Sequence, residues 1–288
     1  MEASGTRYIF HASRSDEFSI WNLSDVHYGN KACALDQFKR DVDVIKKDPF
    51  AFWVGGGDYA EYISMRDRRF DADTISDDLS IADLGKLGAV LTMRVATLLK
   101  PIRHKCLGLL FGNHEASYQR AQEQSNLHGW LCTELGVPNL GYTSFFNVSF
   151  VRKPRHSKTP ELRMDRKDIK GHSAQRFRVF AHHGAGGATT PGGKLNRLIQ
   201  YMHAFDADIY MIGHVHDQKG QRLVQITSND ACDKIVARER LGIISGSYLK
   251  TYAQGITTYG EEKGYAPVPL GASFVRIKPE TREMRGEV

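Results

Sequence analysis

Six of the twelve histidines sit in a few short segments: His27, His114, His182, His183, His214 and His216. Each falls at or just after the C-terminal end of a segment that reads as a strand, and carboxylates or an amide accompany them: Asp25, Asp58 and Asn113. Imidazole mixed with carboxylate suits zinc, manganese or iron, whereas an all-oxygen set suits calcium or magnesium. In Asp25-Val26-His27 the two donors are one residue apart, so an extended segment projects both to one side, and His214-Val215-His216 repeats the spacing. With Asp58, Asn113 and one histidine of the His182-His183 pair there are seven candidate ligands, more than one ion takes, so the pattern predicts two metals.

The elements that must position these residues follow from periodicity. Phe18–Leu23 alternates as a strand and runs into Asp25. Leu35, Phe38, Val42 and Ile45 recur at helical spacing up to Pro49, and the apolar run 50–54 reads as a buried strand ending in Gly55-Gly56-Gly57-Asp58. Ser80 and Asp83 form a capping-box pattern ahead of a helix carrying Leu84, Leu87, Leu91 and Leu98 up to Pro101. A strand over 106–111 leads to Gly112-Asn113-His114-Glu115, then a helix to about Leu135. Strands are expected over 142–151 and 177–181, then a helix over 194–205, then the strand 208–212 leading into Gly213-His214. Short alternating segments at 222–227, 234–237, 242–245 and 273–278 predict a second, more antiparallel sheet. Ligands of open parallel sheets gather at the carboxyl ends of strands, where these residues lie. That rule favours His182 over His183 as the ligand after 177–181, with His183 lining the pocket. The other histidines, His11, His104, His128, His156, His172 and His203, have no such context and read as surface or packing residues.

In order, Asp25-Val26-His27, Gly57-Asp58, Gly112-Asn113-His114-Glu115, His182 or His183, and Gly213-His214-Val215-His216 resemble the signature D-x-H, G-D, G-N-H-[DE], His, G-H-x-H of the calcineurin-like metallophosphoesterases. The resemblance covers about residues 18 to 250. It implies an α/β fold, a four-layer αββα sandwich of two mixed sheets flanked by helices, formed here by one domain over 1–288. It implies that Asp25, His27 and His216 hold a first metal, that Asp58 bridges, and that Asn113, His182 and His214 hold a second. His114 would act at the leaving group, and Glu61 would orient His114 as an Asp does in phosphoprotein phosphatases. The implied chemistry is two-metal hydrolysis of a phosphoester with a metal-bound hydroxide as nucleophile. The proton then comes from an imidazole, whose unperturbed pKa is about 6.5. Manganese is the expected ion, with zinc, iron or nickel as alternatives.

Composition sets the remaining bounds. The chain of 288 residues is 41% hydrophobic and 25% charged, which excludes a disordered or peptide-scale module. Its longest strongly apolar stretch, 87–99, is interrupted by Arg94 and falls short of the roughly 18 to 20 residues of a membrane span. The N-terminus lacks a secretory apolar run, and Cys33, Cys106, Cys132 and Cys232 are too scattered for a thiolate zinc site, so a cytoplasmic protein is expected. The net charge of +6 is uneven. Residues 152–178 hold ten Lys/Arg against three acids, a net of +7, so the rest of the chain sums to −1. This basic insertion reads as a long hairpin loop, either solvated or attracted to a polyanion.

These features together predict a nuclease-like enzyme acting on phosphodiesters in DNA, similar to the DNA-repair exonuclease branch of the family. Asp58 is followed by Tyr59-Ala60-Glu61-Tyr62, without the Arg of the protein phosphatase motif G-D-x-x-D-R-G. A small-molecule phosphodiesterase or nucleotidase is the alternative enzyme. A non-catalytic DNA-binding protein on the same fold is the alternative from another class, and its usual trace, a lost ligand, is missing at all seven positions. The Gly-rich run 184–187 reads either as a phosphate-approaching backbone or as a plain loop, and Ser245-Gly246-Ser247-Tyr248 as a turn or a substrate contact.

Overall fold

The computed structural model describes residues 1–288 except 64, 66, 68, 69, 123–125, 156 and 168, and except the side chain of Gln122. His156 and Asp168 of the basic stretch therefore lie outside the described residues. The chain opens with β1 (Glu2–His11), β2 (Phe18–Leu23), α1 (Leu35–Lys47), β3 (Ala51–Gly55), α2 (Ile81–Leu84), α3 (Leu87–Leu99) and β4 (Cys106–Leu109). It continues through α4 (Asn113–Gln122), α5 (Leu127–Leu135), β5 (Thr143–Arg152), β6 (Glu161–Arg163), β7 (Ser173–His182), α6 (Pro191–Ala204) and β8 (Ile209–Ile212). It closes with β9 (Lys219–Ser228), β10 (Ile235–Ile244), α7 (Tyr259–Glu262), β11 (Ser273–Lys278) and β12 (Glu283–Glu287).

The strands form two mixed sheets, ordered β6-β1-β5-β7-β8-β10-β9 and β12-β11-β2-β3-β4. Period-two alternation decides which side chains face between them. Ile9, Phe146, Val148, Phe177, Val179 and Met211 from the first sheet meet Phe18, Ile20, Phe52, Val54 and Val275 from the second in one buried cluster. On the outside of the five-stranded sheet, Phe38, Val42 and Ile45 of α1, Leu91, Val95 and Leu99 of α3 and Leu131 of α5 cover Trp53 and Leu109. On the outside of the seven-stranded sheet, Leu198 and Met202 of α6 cover Phe180, Tyr210, Ile212 and Ile244. Helix, sheet, sheet and helix thus stack in four layers, as the sequence implied. Each large apolar side chain buried this way contributes about 1.5–3 kcal/mol, set against the entropy of ordering it.

Several expectations are corrected. The helix expected from Ser80 to Pro101 is two helices: the Ser80/Asp83 capping box starts only α2, which stops at Gly85 before α3 begins. The helix expected to run from Asn113 to Leu135 is also two, because the Asn126 side chain accepts from Gly129 N–H and caps a separate α5. The late strands do not make a sheet of their own. β10 pairs parallel with β8 in the seven-stranded sheet, while β11 pairs antiparallel with β2 in the other. Strands β1, β6 and β12 carry too little alternation to be read from sequence.

The basic stretch is more structured than a loop. Its β6 pairs with the outer edge of β1, and Ile169 packs on Tyr8, Phe10 and Val151, covering the half of the sheet that α6 does not reach. Its place follows from register. In the antiparallel β5/β7 pair, Arg152 faces Ser173 at one end and Thr143 faces His182 at the other. Nine steps of about 3.3 Å put roughly 30 Å between the Arg152/Ser173 end, where the loop of the basic stretch leaves the sheet, and the strand end at His182. No helix among the described residues is long and apolar enough to cross a membrane.

Candidate metal centre

Strands β2, β3 and β4 run parallel, as do β7, β8 and β10, and their carboxyl ends meet at one edge of the sandwich. Asp25 and His27 follow β2, Asp58 follows β3, Asn113 and His114 open α4 beyond β4, His183 follows β7, and His214 and His216 follow β8. The backbone there is not extended. Asp25, His27, Asp58, His214 and His216 all have positive φ, at 55°, 50°, 52°, 68° and 46°. Such conformations cost on the order of 1–3 kcal/mol each for residues with a Cβ and collect at functional sites. The convergence of Asp25 with His27 therefore comes from a left-handed turn, not from the strand geometry that the spacing suggested. Cross-links between segments hold it: Asp25 N–H donates to Gly57 O at 3.0 Å, His27 N–H to Asp58 O at 3.1 Å, and Tyr248 N–H to Asp25 O at 2.9 Å. Close approach fixes two glycines. A Cβ on Gly112 would lie 2.0 Å from Asp58 Oδ1, and one on Gly213 would lie 2.1 Å from Ser24 Oγ.

In this constellation one polar atom of each anchored side chain is tied to protein and another is left facing inward. Asp25 Oδ2 accepts from His214 N–H at 2.9 Å and from Ser24 Oγ. Asp25 Oδ1 is fully buried with no hydrogen-bond donor aimed at it, although His216 Nε2 stands 3.2 Å away. Asp58 Oδ1 accepts from His114 N–H at 2.9 Å, leaving Oδ2 3.3 Å from His183 Nε2. His27 Nδ1 donates to Glu61 Oε2 at 2.9 Å, and its Nε2 faces His216 Nε2 at 3.3 Å. His183 Nδ1 donates to Gly56 O at 2.7 Å, and its Nε2 lies 3.1 Å from Asn113 Oδ1. Acceptor partners fix the Nδ1 protons of His27 and His183, so their Nε2 atoms turn towards His216 and towards Asp58 and Asn113. Metal-binding histidines are oriented in this way by carboxylates and carbonyls. The ligand atoms of Asp25, His27 and His216 lie within 4.8 Å of one another, as do those of Asp58, His183 and His214, and of His27, Asp58 and His114. An orphaned buried carboxylate oxygen among converging nitrogens fits divalent cations.

The electrostatics agree. Burial would raise the Asp25 carboxyl, but the His216 contact and the nearby His183 outweigh it and bring it down to about 2. Asp58 is likewise driven well below its ordinary value, against burial, by His183 and His114. Burial alone would lower His183, yet the charge and contact of Asp58 raise it to about 10. Without metal, the imidazolium of His183 is thus the counter-charge to Asp58. A divalent ion would replace that proton.

His182 is a correction. Its Nδ1 accepts from Gly184 N–H at 2.7 Å, and its ring stacks on Tyr201 at 4.8 Å, away from Asp58 and Asn113. Burial, then the neighbouring His183, lowers it to about 4, so it is a neutral acceptor that pins the start of the Gly-rich run. Tyr142 OH pins the same run by donating to Gly184 O at 2.8 Å. Strand-end position could not separate two adjacent histidines: His182 is the last residue of β7 and His183 the first beyond it.

Glu61 differs from expectation too. Its carboxylate holds His27, and only its backbone carbonyl reaches His114 Nδ1. Ser245 and Ser247 turn inward, to Asn22 O at 2.6 Å and Asp25 O at 3.0 Å, and so support Asp25 from behind. Glu115 was visible only as the last letter of its motif. Buried, it accepts from the N–H groups of Gly112 at 2.8 Å, Asp58 at 3.0 Å and Tyr59 at 2.8 Å, and burial with the charge of Asp58 raises it to about 7. Of the remaining histidines, His11 and His128 are buried packing residues bonded to Asp16 and Asn139, while His104, His172 and His203 are exposed.

No protein-family model and no curated protein matches this chain. Among solved structures, it is similar to a Vps29 double mutant from Entamoeba histolytica, at 12% identity over 94% of this chain and 98% of that one, with a TM-score of 0.35. It is also similar to the NAD nucleotidase of Haemophilus influenzae, at 10% identity over 95% of this chain and 49% of that one, with a TM-score of 0.39. The chain thus spans about half the length of that nucleotidase.

Proposed function

We propose that this chain is a metal-dependent phosphoester hydrolase of the metallophosphoesterase type. The observation that carries the reading is the convergence of free ligand atoms at one sheet edge, above all the orphaned, fully buried Asp25 Oδ1 among histidine Nε2 atoms. Asp25, His27 and His216 would hold one ion, Asn113, His183 and His214 the other, and Asp58 would bridge. When bound, such ions supply Lewis-acid stabilisation of phosphoryl oxygens and an acidified water. Manganese is the first ion to supply, and this donor set also suits zinc, iron or nickel.

The protein's own part is orientation and proton transfer. Glu61 O accepts from His114 Nδ1, so the proton His114 offers is the one on Nε2, towards the group that leaves. Glu115 fixes Asp58 through its backbone, and Glu61 fixes His27.

A phosphodiester is the proposed substrate class, with DNA as the first to supply. A small phosphoester is the second reading, favoured by one observation: the loop of the basic stretch, between Arg152 and Ser173, leaves the sheet at the end of β7 far from His183. Purified protein with Mn²⁺ should hydrolyse bis-p-nitrophenyl phosphate, and a panel of DNA, RNA, cyclic nucleotide and phosphoprotein would rank the classes. No turnover with any divalent ion would sink the enzyme reading.

A further inference from the structure

The charge excess of the chain is gathered on one outer face, and that face is built. Register puts Tyr8, Ser149, Val151, Arg176 and Arg178 on the same side of β1, β5 and β7, the side away from the inter-sheet core. Over it, the described part of the segment between β5 and β7 turns Ile169 inward onto Tyr8, Phe10 and Val151. The anchor sets the direction of its neighbours: Arg166, Lys167 and Lys170 are exposed, while Lys153 Nζ and the Arg163 guanidinium lie over the Phe10 ring at 4.6 and 4.9 Å. Among the described residues, Arg155, Lys158, Arg166, Lys167, Lys170 and Arg176 form no ion pair. Arg178 shares Asp206 with Arg238 and Arg240, and Arg163 pairs with Glu161. The face therefore carries, beside the paired Arg163 and Arg178, six cations with no acid partner among the described residues, anchored to the sheet through Ile169.

We infer that this face is a docking site for the phosphate backbone of a nucleic acid, separate from the metal centre. Cations of this kind act by releasing the counterions condensed on a polyanion. Surface adhesion to a membrane calls for several apolar side chains beside the cations; here Ile169 faces inward, and among the described residues of 153–172 Met164 is the one large apolar side chain left exposed. Tyr8, Phe10 and Val151 under Ile169 lie level with Arg176 and Ala174, six to eight residues before His182, so the patch stands about 20–26 Å along the strand from that end, or about six to eight base pairs of rise at 3.4 Å each. The inference does not depend on the hydrolase reading.

Fluorescence anisotropy with a labelled 24-base-pair duplex in EDTA tests it, comparing the wild-type chain with the triple variant Arg166→Ala, Lys167→Ala, Lys170→Ala. Binding by the wild type should weaken with salt. The variant should raise Kd at least about tenfold at 0.1 M salt and flatten the log–log salt slope by about 2 to 3. The charge-preserving variant Arg166→Lys, Lys167→Arg, Lys170→Arg should bind as the wild type does. Turnover of bis-p-nitrophenyl phosphate should be unchanged in both variants. Unchanged affinity in the alanine variant, no salt-dependent binding by the wild type, competition by polyglutamate equal to that by DNA, or binding to anionic vesicles without binding to DNA would each overturn the inference.

Discussion

Replacing His183 and His182 by alanine, one at a time, separates adjacent residues with opposite roles. His183 is fully buried, with Nε2 3.1 Å from Asn113 Oδ1 and 3.3 Å from Asp58 Oδ2. Loss of a residue that merely orients a ligand costs 10–100-fold in metal affinity, so loss of the ligand itself should cost at least about 100-fold. With Mn²⁺ at about 100 times the wild-type Kd, binding stabilises by about 2.7 kcal/mol; a 100-fold weaker site leaves about 0.4 kcal/mol. For a chain of 288 residues, at about 2.1 cal/mol/K of unfolding entropy per residue, the metal-induced rise in Tm should fall from about 4.5 °C to under about 1 °C. His182→Ala loses the stacking on Tyr201, worth about 0.5–1.5 kcal/mol, and the acceptor for Gly184 N–H, worth about 1 kcal/mol. It should lower the Tm of the metal-free protein by roughly 2.5–4 °C and leave the metal-induced rise intact. Differential scanning calorimetry with and without Mn²⁺ reads both quantities. A rise that survives in His183→Ala but vanishes in His182→Ala would refute the assignment.

Three further outcomes are expected. His114→Ala should lower kcat about 10²–10⁴-fold on alkyl phosphoesters and much less on nitrophenyl esters, whose leaving group needs no proton, while calorimetric Mn²⁺ affinity holds; equal losses on both would remove the donor role. Glu61→Gln, which weakens the grip on His27 Nδ1, should cost about 10–100-fold in Mn²⁺ affinity by titration calorimetry, and wild-type affinity would contradict the positioning role. Because the charge and contact of Asp58 outweigh burial and raise His183 to about 10, its contribution is fully present below the unfolded histidine pKa of about 6.5 and is lost as pH rises through about 10. Metal-free protein should therefore lose Tm between about pH 7 and 10, and Mn²⁺ binding should release a proton over that window; a flat Tm in EDTA together with proton-free binding would exclude the His183–Asp58 pair.

Legibility differed with the range of the interaction concerned. Asp25, His27, Asp58, Asn113, His214 and His216 were readable because residue type and local spacing carry ligand chemistry, and the structure brings all six to one edge. Helix breaks at Gly85 and Asn126 were missed because a short cap or a single turn outweighs a continuing apolar stripe. The destination of the late strands depended on partners far away in the chain, β8 for β10 and β2 for β11, and pairing of that kind leaves no local mark.

What the sequence determined by itself was the inventory: which donors exist, in what order and ahead of which turns. What only the tertiary structure decided was direction. Neighbouring His182 and His183 have the same chemistry, and the one that faces Asp58 is set by which ring finds Gly56 O and which finds Tyr201. The charge excess was countable from composition, but that its loop leaves the sheet at the end of β5 and β7 far from the metal centre follows from an antiparallel register. Composition adds charges without regard to place, whereas Coulomb interactions and ligand geometry depend on distance, and distance is fixed only when the strands pair.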